Sequence, residues 1–97
     1  VDKILSLLGI ARKAGAVVSG EFSTEKAVKE KRALLVLVAE DASDNTKKLF
    51  SDKCRFYGIP EKEYGTKETL GHALGEELRS SLAVCDRGLA SAIEKLL

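Results

Sequence analysis

Six consecutive apolar residues, Leu34-Leu35-Val36-Leu37-Val38-Ala39, stand between Ala33 and the acidic pair Glu40-Asp41. The run is too short to cross a membrane and too continuous for a strand with one face in water. It predicts a strand buried on both faces, at the centre of a sheet with helices on either side. The remaining chain has to supply those helices and the neighbouring strands.

Upstream, Ile4, Leu5, Leu7, Leu8, Ala11 and Ala14 keep helical spacing between Val1 and Ala14, with Lys3, Arg12 and Lys13 outside, and Gly15 stands where the helix stops. Ala16-Val17-Val18 is a short β-prone run. A second helix is expected from near Gly20 or Ser23 to about Lys31, with Ala27, Val28 and Lys31 on its inner face. After the buried strand, Asp44 is placed to cap a third helix reaching Tyr57, striped by Leu49, Phe50, Cys54 and Tyr57 and ended by Gly58 and Pro60. Glu61-Lys62-Glu63-Tyr64 suits an edge strand whose charge discourages pairing with another molecule.

Thr66 can cap a helix from Lys67 to about Leu74. Gly71 inside that helix costs about 1 kcal/mol relative to alanine and so implies a close backbone approach. Ser81-Leu82-Ala83-Val84-Cys85 reads as a second apolar strand. Asp86 caps a last helix with Leu89, Ala92, Ile93, Leu96 and Leu97 inward. The order α-β-α-β-α-β-α-β-α, beginning and ending with a helix, predicts an α/β protein built as a three-layer α/β/α sandwich. Its 97 residues fit a single domain, 1–97.

No convergent chemistry is legible: no nucleophile with a base, no paired carboxylates, no metal-ligand spacing and no glycine-rich phosphate loop. Glu40-Asp41 reads as a solvated turn, His72 as an ordinary polar residue, and Cys54 and Cys85 as buried thiols, so neither a cofactor nor a metal is expected. The first apolar segment is broken by Ser6, Gly9, Arg12 and Lys13, which argues against a membrane span or a signal peptide and for a cytoplasmic protein.

With 16 basic and 15 acidic residues, a nucleic-acid partner requires basic groups gathered on one face. The candidate place is Ser19-Gly20-Glu21-Phe22-Ser23-Thr24-Glu25-Lys26-Ala27-Val28-Lys29, a loop turning into a helix N-terminus where free N–H groups favour an anion. Phe22, Lys26 and Lys29 follow one another at spacings of four and three, as an RNA-facing surface would need. The same spacing also fits Phe22 stapling the helix start and Lys29 pairing with Glu25.

Ala11-Arg12-Lys13-Ala14-Gly15, Ser19-Gly20 with Lys26-Ala27-Val28, and Leu35 through Ser43 resemble, in order and spacing, one family. So do Cys54, Gly58-Ile59-Pro60, Thr66-Lys67, Leu70-Gly71, Gly75 and Ala83-Val84. It is the ribosomal protein family named for the archaeal large-subunit protein seven-Ae and its relative thirty-e, and the nearest pattern is its bacterial, YlxQ-type branch. The resemblance implies a four-stranded mixed sheet and a non-catalytic protein that binds structured, kink-turn-like RNA, ribosomal or other non-coding, within a ribonucleoprotein and beside its proteins.

By position, the resemblance makes Gly20 the loop glycine, Thr24 a helix-start threonine, Lys26 a lysine reaching guanine and phosphate, and Lys67 and Arg79 basic residues beside an extruded nucleotide. Lys47 occupies a pocket position often aliphatic elsewhere. The RNA-binding set implied is Gly20, Glu21, Phe22, Ser23, Thr24, Lys26, Lys29, Lys47, Lys67 and Arg79. Phe22 and Ser23 stand where strong kink-turn binders carry Asn and Glu, and Glu76 and Glu77 add negative charge beside Arg79. The alternative is a protein-interaction module on the same fold that has lost kink-turn recognition, with Phe22 as its apolar anchor.

Overall fold

The computed structural model describes residues 2–97; the expected start of the first helix at Val1 lies outside them. Five helices alternate with four strands: α1 Lys3–Lys13, β1 Val17–Ser19, α2 Glu21–Lys29, β2 Leu35–Val38, α3 Asp44–Tyr57, β3 Glu61–Glu63, α4 Lys67–Ala73, β4 Ser81–Val84 and α5 Arg87–Glu94. The sheet order is β1-β4-β2-β3. β4 runs antiparallel to both neighbours, and β2 and β3 are parallel, so the sheet is mixed. α2 packs on α3 on one side, and α1 packs on α4 and α5 on the other.

The apolar run occupies the predicted central position. Every residue of β2 and β4 is buried, and Leu35, Val36, Leu37, Val38, Leu82, Ala83 and Val84 are fully so. Burying one such aliphatic side chain contributes roughly 1.5–3 kcal/mol, so these two strands carry much of the hydrophobic stabilisation. The outer strands differ. β3 pairs only with β2 and exposes Lys62 and Glu63, as expected of a charged edge.

The helix ends follow from local chemistry. Asp2 caps α1, Thr66 and Thr69 form a reciprocal box at the start of α4, and Asp86 caps α5. The cap of α3 is Ser43 rather than Asp44: the Ser43 hydroxyl takes the Thr46 N–H at 3.2 Å, and Asp44 becomes the first helical residue.

Four further expectations are corrected. Lys31 lies beyond α2, exposed and at φ 59, and the inner position goes to fully buried Thr24. β1 is shifted one residue, to Val17–Ser19, because Ser19 pairs with Leu82 while the Ala16 carbonyl accepts the Cys85 N–H at 2.7 Å. Leu96 and Leu97 fall past the end of α5 and are exposed, whereas Ala90 and Ile93 face the core. Cys54 is buried, its thiol pushed up to about 12 by desolvation and then by Glu61, but Cys85 follows the end of β4 and is only half-buried.

Gly71 shows the expected close approach. A Cβ built there would stand 2.3 Å from the Glu77 carbonyl oxygen, because the 74–80 segment folds back over α4. A Cβ built on Gly9, in the middle of α1, would stand 3.6 Å from the Ala73 carbonyl oxygen, an ordinary contact. The two glycines should therefore respond oppositely to alanine. Gly71→Ala is expected to destabilise by about 1–3 kcal/mol through overpacking, and Gly9→Ala to be neutral or stabilising by up to about 1 kcal/mol. Urea denaturation midpoints of the two variants check both signs.

Candidate nucleic-acid interface

β1, β2 and β3 point one way and β4 the other, so Ser19, Val38 and Glu63 end at the same side of the sheet at which Ser81 begins. The connections at residues 20, 39–43, 64–66 and 74–80 all gather there. Backbone hydrogen bonds lace them together. Gly20 N–H donates to the Ser81 carbonyl at 3.0 Å, Ala39 N–H to Ser80 at 2.8 Å, Glu40 N–H to Gly65 at 2.8 Å, and Arg79 N–H to Lys67 at 3.0 Å.

Side chains add further ties. Asp41 Oδ1 accepts the Lys67 N–H at 2.8 Å, so half of the Glu40-Asp41 turn serves the N-terminus of α4. Thr46 Oγ1 donates to Glu21 Oε1 at 3.3 Å, joining the first turns of α3 and α2. Ser81 Oγ donates to Thr24 Oγ1 at 3.4 Å beneath the surface.

Gly20 opens α2 at φ 91 and ψ 155, a conformation that side chains rarely adopt, and supplies no side-chain cap. A Cβ there would meet nothing within 4 Å, so the constraint is conformational and the space above is open. The first-turn N–H groups of Glu21, Phe22 and Ser23 thus face this edge without a side-chain acceptor from the cap residue. Phe22 is 79% exposed and staples nothing, and Ser23 is half-buried.

The cations differ in how much charge they have to offer. Lys26 is exposed, and among the described residues it forms no ion pair; the same holds for half-buried Lys67. Lys47 reaches Glu63 at 3.4 Å. Arg79 is committed three ways: Nε to Ser19 Oγ at 2.9 Å, Nη1 to the Leu78 carbonyl at 2.9 Å, and an ion pair with Glu76 at 3.1 Å. Lys29 pairs with Glu25 at 3.2 Å and sits at the far end of α2, about 12 Å along the axis from Glu21.

Lys47, Lys67 and Arg79 therefore share the edge with Gly20 and Glu21, Phe22 and Lys26 flank it, and Lys29 stands apart. Thr24 lies underneath. Acidic Asp41, Glu63 and Glu76 stand among the cations, so the edge is a mosaic and not a basic patch. Thr46 was not singled out from the sequence, and the contacts of Ser19, Asp41 and Glu63 were not foreseen, because their partners are reached through the sheet. Among the described residues no three His, Cys, Asp or Glu gather where they could hold a metal ion.

One tie reaches the edge from outside. Asp2 accepts the Leu5 N–H at 3.0 Å through one oxygen and the Tyr64 hydroxyl through the other, so the cap of α1 also holds the loop between β3 and α4. The bond to Tyr64 is the main reason the Asp2 carboxyl lies below its ordinary value, and the carboxylate in turn pushes the phenol up to about 12.

The profile of the ribosomal protein L7Ae/L30e/S12e/Gadd45 family matches residues 2–94. RNA-binding protein YlxQ of Bacillus subtilis (strain 168) is 45% identical over 91 residues, covering 94% of this chain and 91% of that protein. The Enterococcus faecium protein of the same name is 33% identical over 96 residues, covering 99% and 92%. Among solved structures, a protein of unknown function from Bacillus halodurans superposes with a TM-score of 0.93 at 39% identity, over 97% of this chain and 95% of that one. A Giardia lamblia 15.5kD RNA binding protein gives 0.79 at 20% identity, over 100% and 92%, a likeness of fold.

The Asp2–Tyr64 bond sets a pH window. The lowered Asp2 pKa contributes stability that is present above its unfolded value of 3.8 and lost as pH falls through the folded value. The raised Tyr64 pKa contributes stability that is present below 10.0 and lost as pH rises towards about 12. Tyr64→Phe is expected to lower the urea midpoint at neutral pH, and the difference from the parent protein should shrink at both extremes.

Proposed function

The chain belongs to the ribosomal protein L7Ae/L30e/S12e/Gadd45 family, and from that premise we propose that it is a non-catalytic RNA-binding protein acting as one domain. It holds a structured, kink-turn-like RNA, ribosomal or other non-coding, within a cytoplasmic ribonucleoprotein. The observation that carries this reading is the convergence of four connections into one hydrogen-bonded edge, next to the open N-terminus of α2 and to Lys26 and Lys67, which form no ion pair among the described residues.

Each part has a physical task. An edge already laced by main-chain hydrogen bonds loses little freedom on binding, so more of the contact energy appears as affinity. First-turn N–H groups and Lys26 attract phosphate. Lys67, at the start of α4, supplies a second positive group across the edge. Lys47 and Arg79, held by Glu63 and Glu76, shape the surface and contribute little net charge.

Binding to a kink-turn RNA, followed by fluorescence polarisation across a salt series, tests the reading. Lys26→Ala and Lys67→Ala should each weaken binding and reduce the magnitude of the logarithmic salt slope by roughly 0.7 to 0.9. Lys29→Ala, already paired with Glu25, should leave the slope nearly unchanged. Unchanged affinity and slope for both Lys26 and Lys67 variants would remove this edge as the RNA site.

A further inference from the structure

Two phenylalanines are exposed to nearly the same extent, Phe22 at 79% and Phe56 at 80%, yet their surroundings differ. Phe56 lies near the end of α3, about 18 Å along the axis from Asp44 and the interface edge. Its ring already packs edge-on against Tyr57, with centroids 4.9 Å apart, and Arg55 beside it is paired with Asp52. Phe22 stands in the first turn of α2, at the edge, with no aromatic partner among the described residues.

Phe56 lines a groove of about 430 Å³ with Leu49, Asp52, Lys53 and Tyr57, but the charges there are matched, Lys53 with Glu25 at 4.0 Å and Asp52 with Lys48 at 3.5 Å and Arg55 at 2.8 Å. Phe22, together with Glu25, Lys26, Lys29 and Glu30, lines a groove of about 240 Å³ along the outer face of α2. The acids of that groove are occupied: Glu25 by Lys29 at 3.2 Å and Lys53 at 4.0 Å, and Glu30 by Arg32 at 2.8 Å. Among the described residues Lys26 forms no ion pair. Helical side chains lean towards the N-terminus, so Lys26, four residues on, is placed on the Phe22 side of the helix, and both line the same groove.

A phenyl ring has no group that can read a base edge, and an open ring beside a free cation matches an unstacked base with its phosphate. A continuous duplex keeps its bases stacked on each other and offers such a ring no face. We propose that Phe22 and Lys26 form a stacking subsite for one unpaired nucleotide, so that this protein selects RNA carrying a splayed base at the edge, with Phe22 as the specificity-determining residue. The proposal rests on the RNA-binding reading above and specifies what its first contact recognises.

The test compares three probes: an RNA hairpin with a short run of unpaired nucleotides, the same hairpin with those nucleotides abasic, and its fully paired counterpart. The parent protein should prefer the first. Stacking contributes about 1–3 kcal/mol per base, so Phe22→Ala should bind the intact probe roughly 5- to 150-fold more weakly. It should bind the abasic and paired probes as the parent does, with an unchanged salt slope because the ring is neutral. Phe22→Trp should retain the preference, and Phe56→Ala should behave as the parent protein. Both rings are exposed, so neither change threatens the fold.

Equal losses by Phe22→Ala on intact and abasic probes would overturn the subsite. So would a Phe22→Ala variant that binds the intact probe normally while Lys26→Ala still flattens the salt slope. In that second outcome RNA binding stands and the exposed ring belongs to an apolar protein partner. No binding of any probe by the parent protein would overturn the RNA reading and the subsite with it.

Discussion

The structure depends on a single arrangement: β4 lies antiparallel between β1 and β2, and β2 and β4 are buried on both faces. Strands buried this way can offer function only at their ends, because their side chains are committed to packing. The direction of β4 then determines which ends are useful. It returns the chain from the 74–80 segment into the sheet beside Ser19 and Val38, so the Ser80 and Ser81 carbonyls accept the N–H groups of Ala39 and Gly20. The candidate edge is thus a by-product of how the core closes, and its rigidity comes from hydrogen bonds that the sheet has already paid for.

Electrostatics at the edge work by subtraction. The chain carries almost equal numbers of acids and bases, and among the described residues five of its acids, Glu25, Glu30, Asp52, Glu63 and Glu76, hold cations in place. Glu63 holds Lys47 and Glu76 holds Arg79, each pair linking segments that meet at the edge or bracing one of them. Exposed pairs of this kind contribute little stability, with a median of about 0–1 kcal/mol. Their larger effect is on the local charge at the edge, where they offset Lys47 and Arg79 while Lys26 and Lys67 form no ion pair among the described residues. A near-neutral protein can in this way present a local positive charge without the long-range field of a basic one.

Much of the fold was legible because its signals are local. The continuous apolar run, the stop at Gly15, the capping residues Thr66 and Asp86, and the charged edge strand each act within a few residues of themselves. The misreadings arose where a tertiary contact competes with a local pattern. Helical spacing continued through Lys31, but the backbone had already left the helix, and buried Thr24 took the inner place through its bond to Ser81. Leu96 and Leu97 kept the apolar pattern of α5 after the helix itself had ended. Of the site, individual residues were visible and their relations were not: nothing in the spacing of Asp41 and Lys67, or of Ser19 and Arg79, reveals that they touch.

Those hidden contacts separate two jobs that basic residues at an interface can have. Arg79 is bound to Ser19, Leu78 and Glu76, so moving it to a phosphate would cost three interactions and unfasten the 74–80 segment from β1. Such a side chain positions the surface. Lys26 has no such attachment among the described residues, and a free lysine can follow a phosphate at the cost of its own rotamer entropy, about 2 kcal/mol at most. The division places adaptability on the outer face of α2 and rigidity in the loops behind it. A ligand that fits this edge would therefore meet a fixed backbone contour first, and the Phe22 ring and the Lys26 chain, which are free to adjust, would discriminate among ligands that fit the contour equally well.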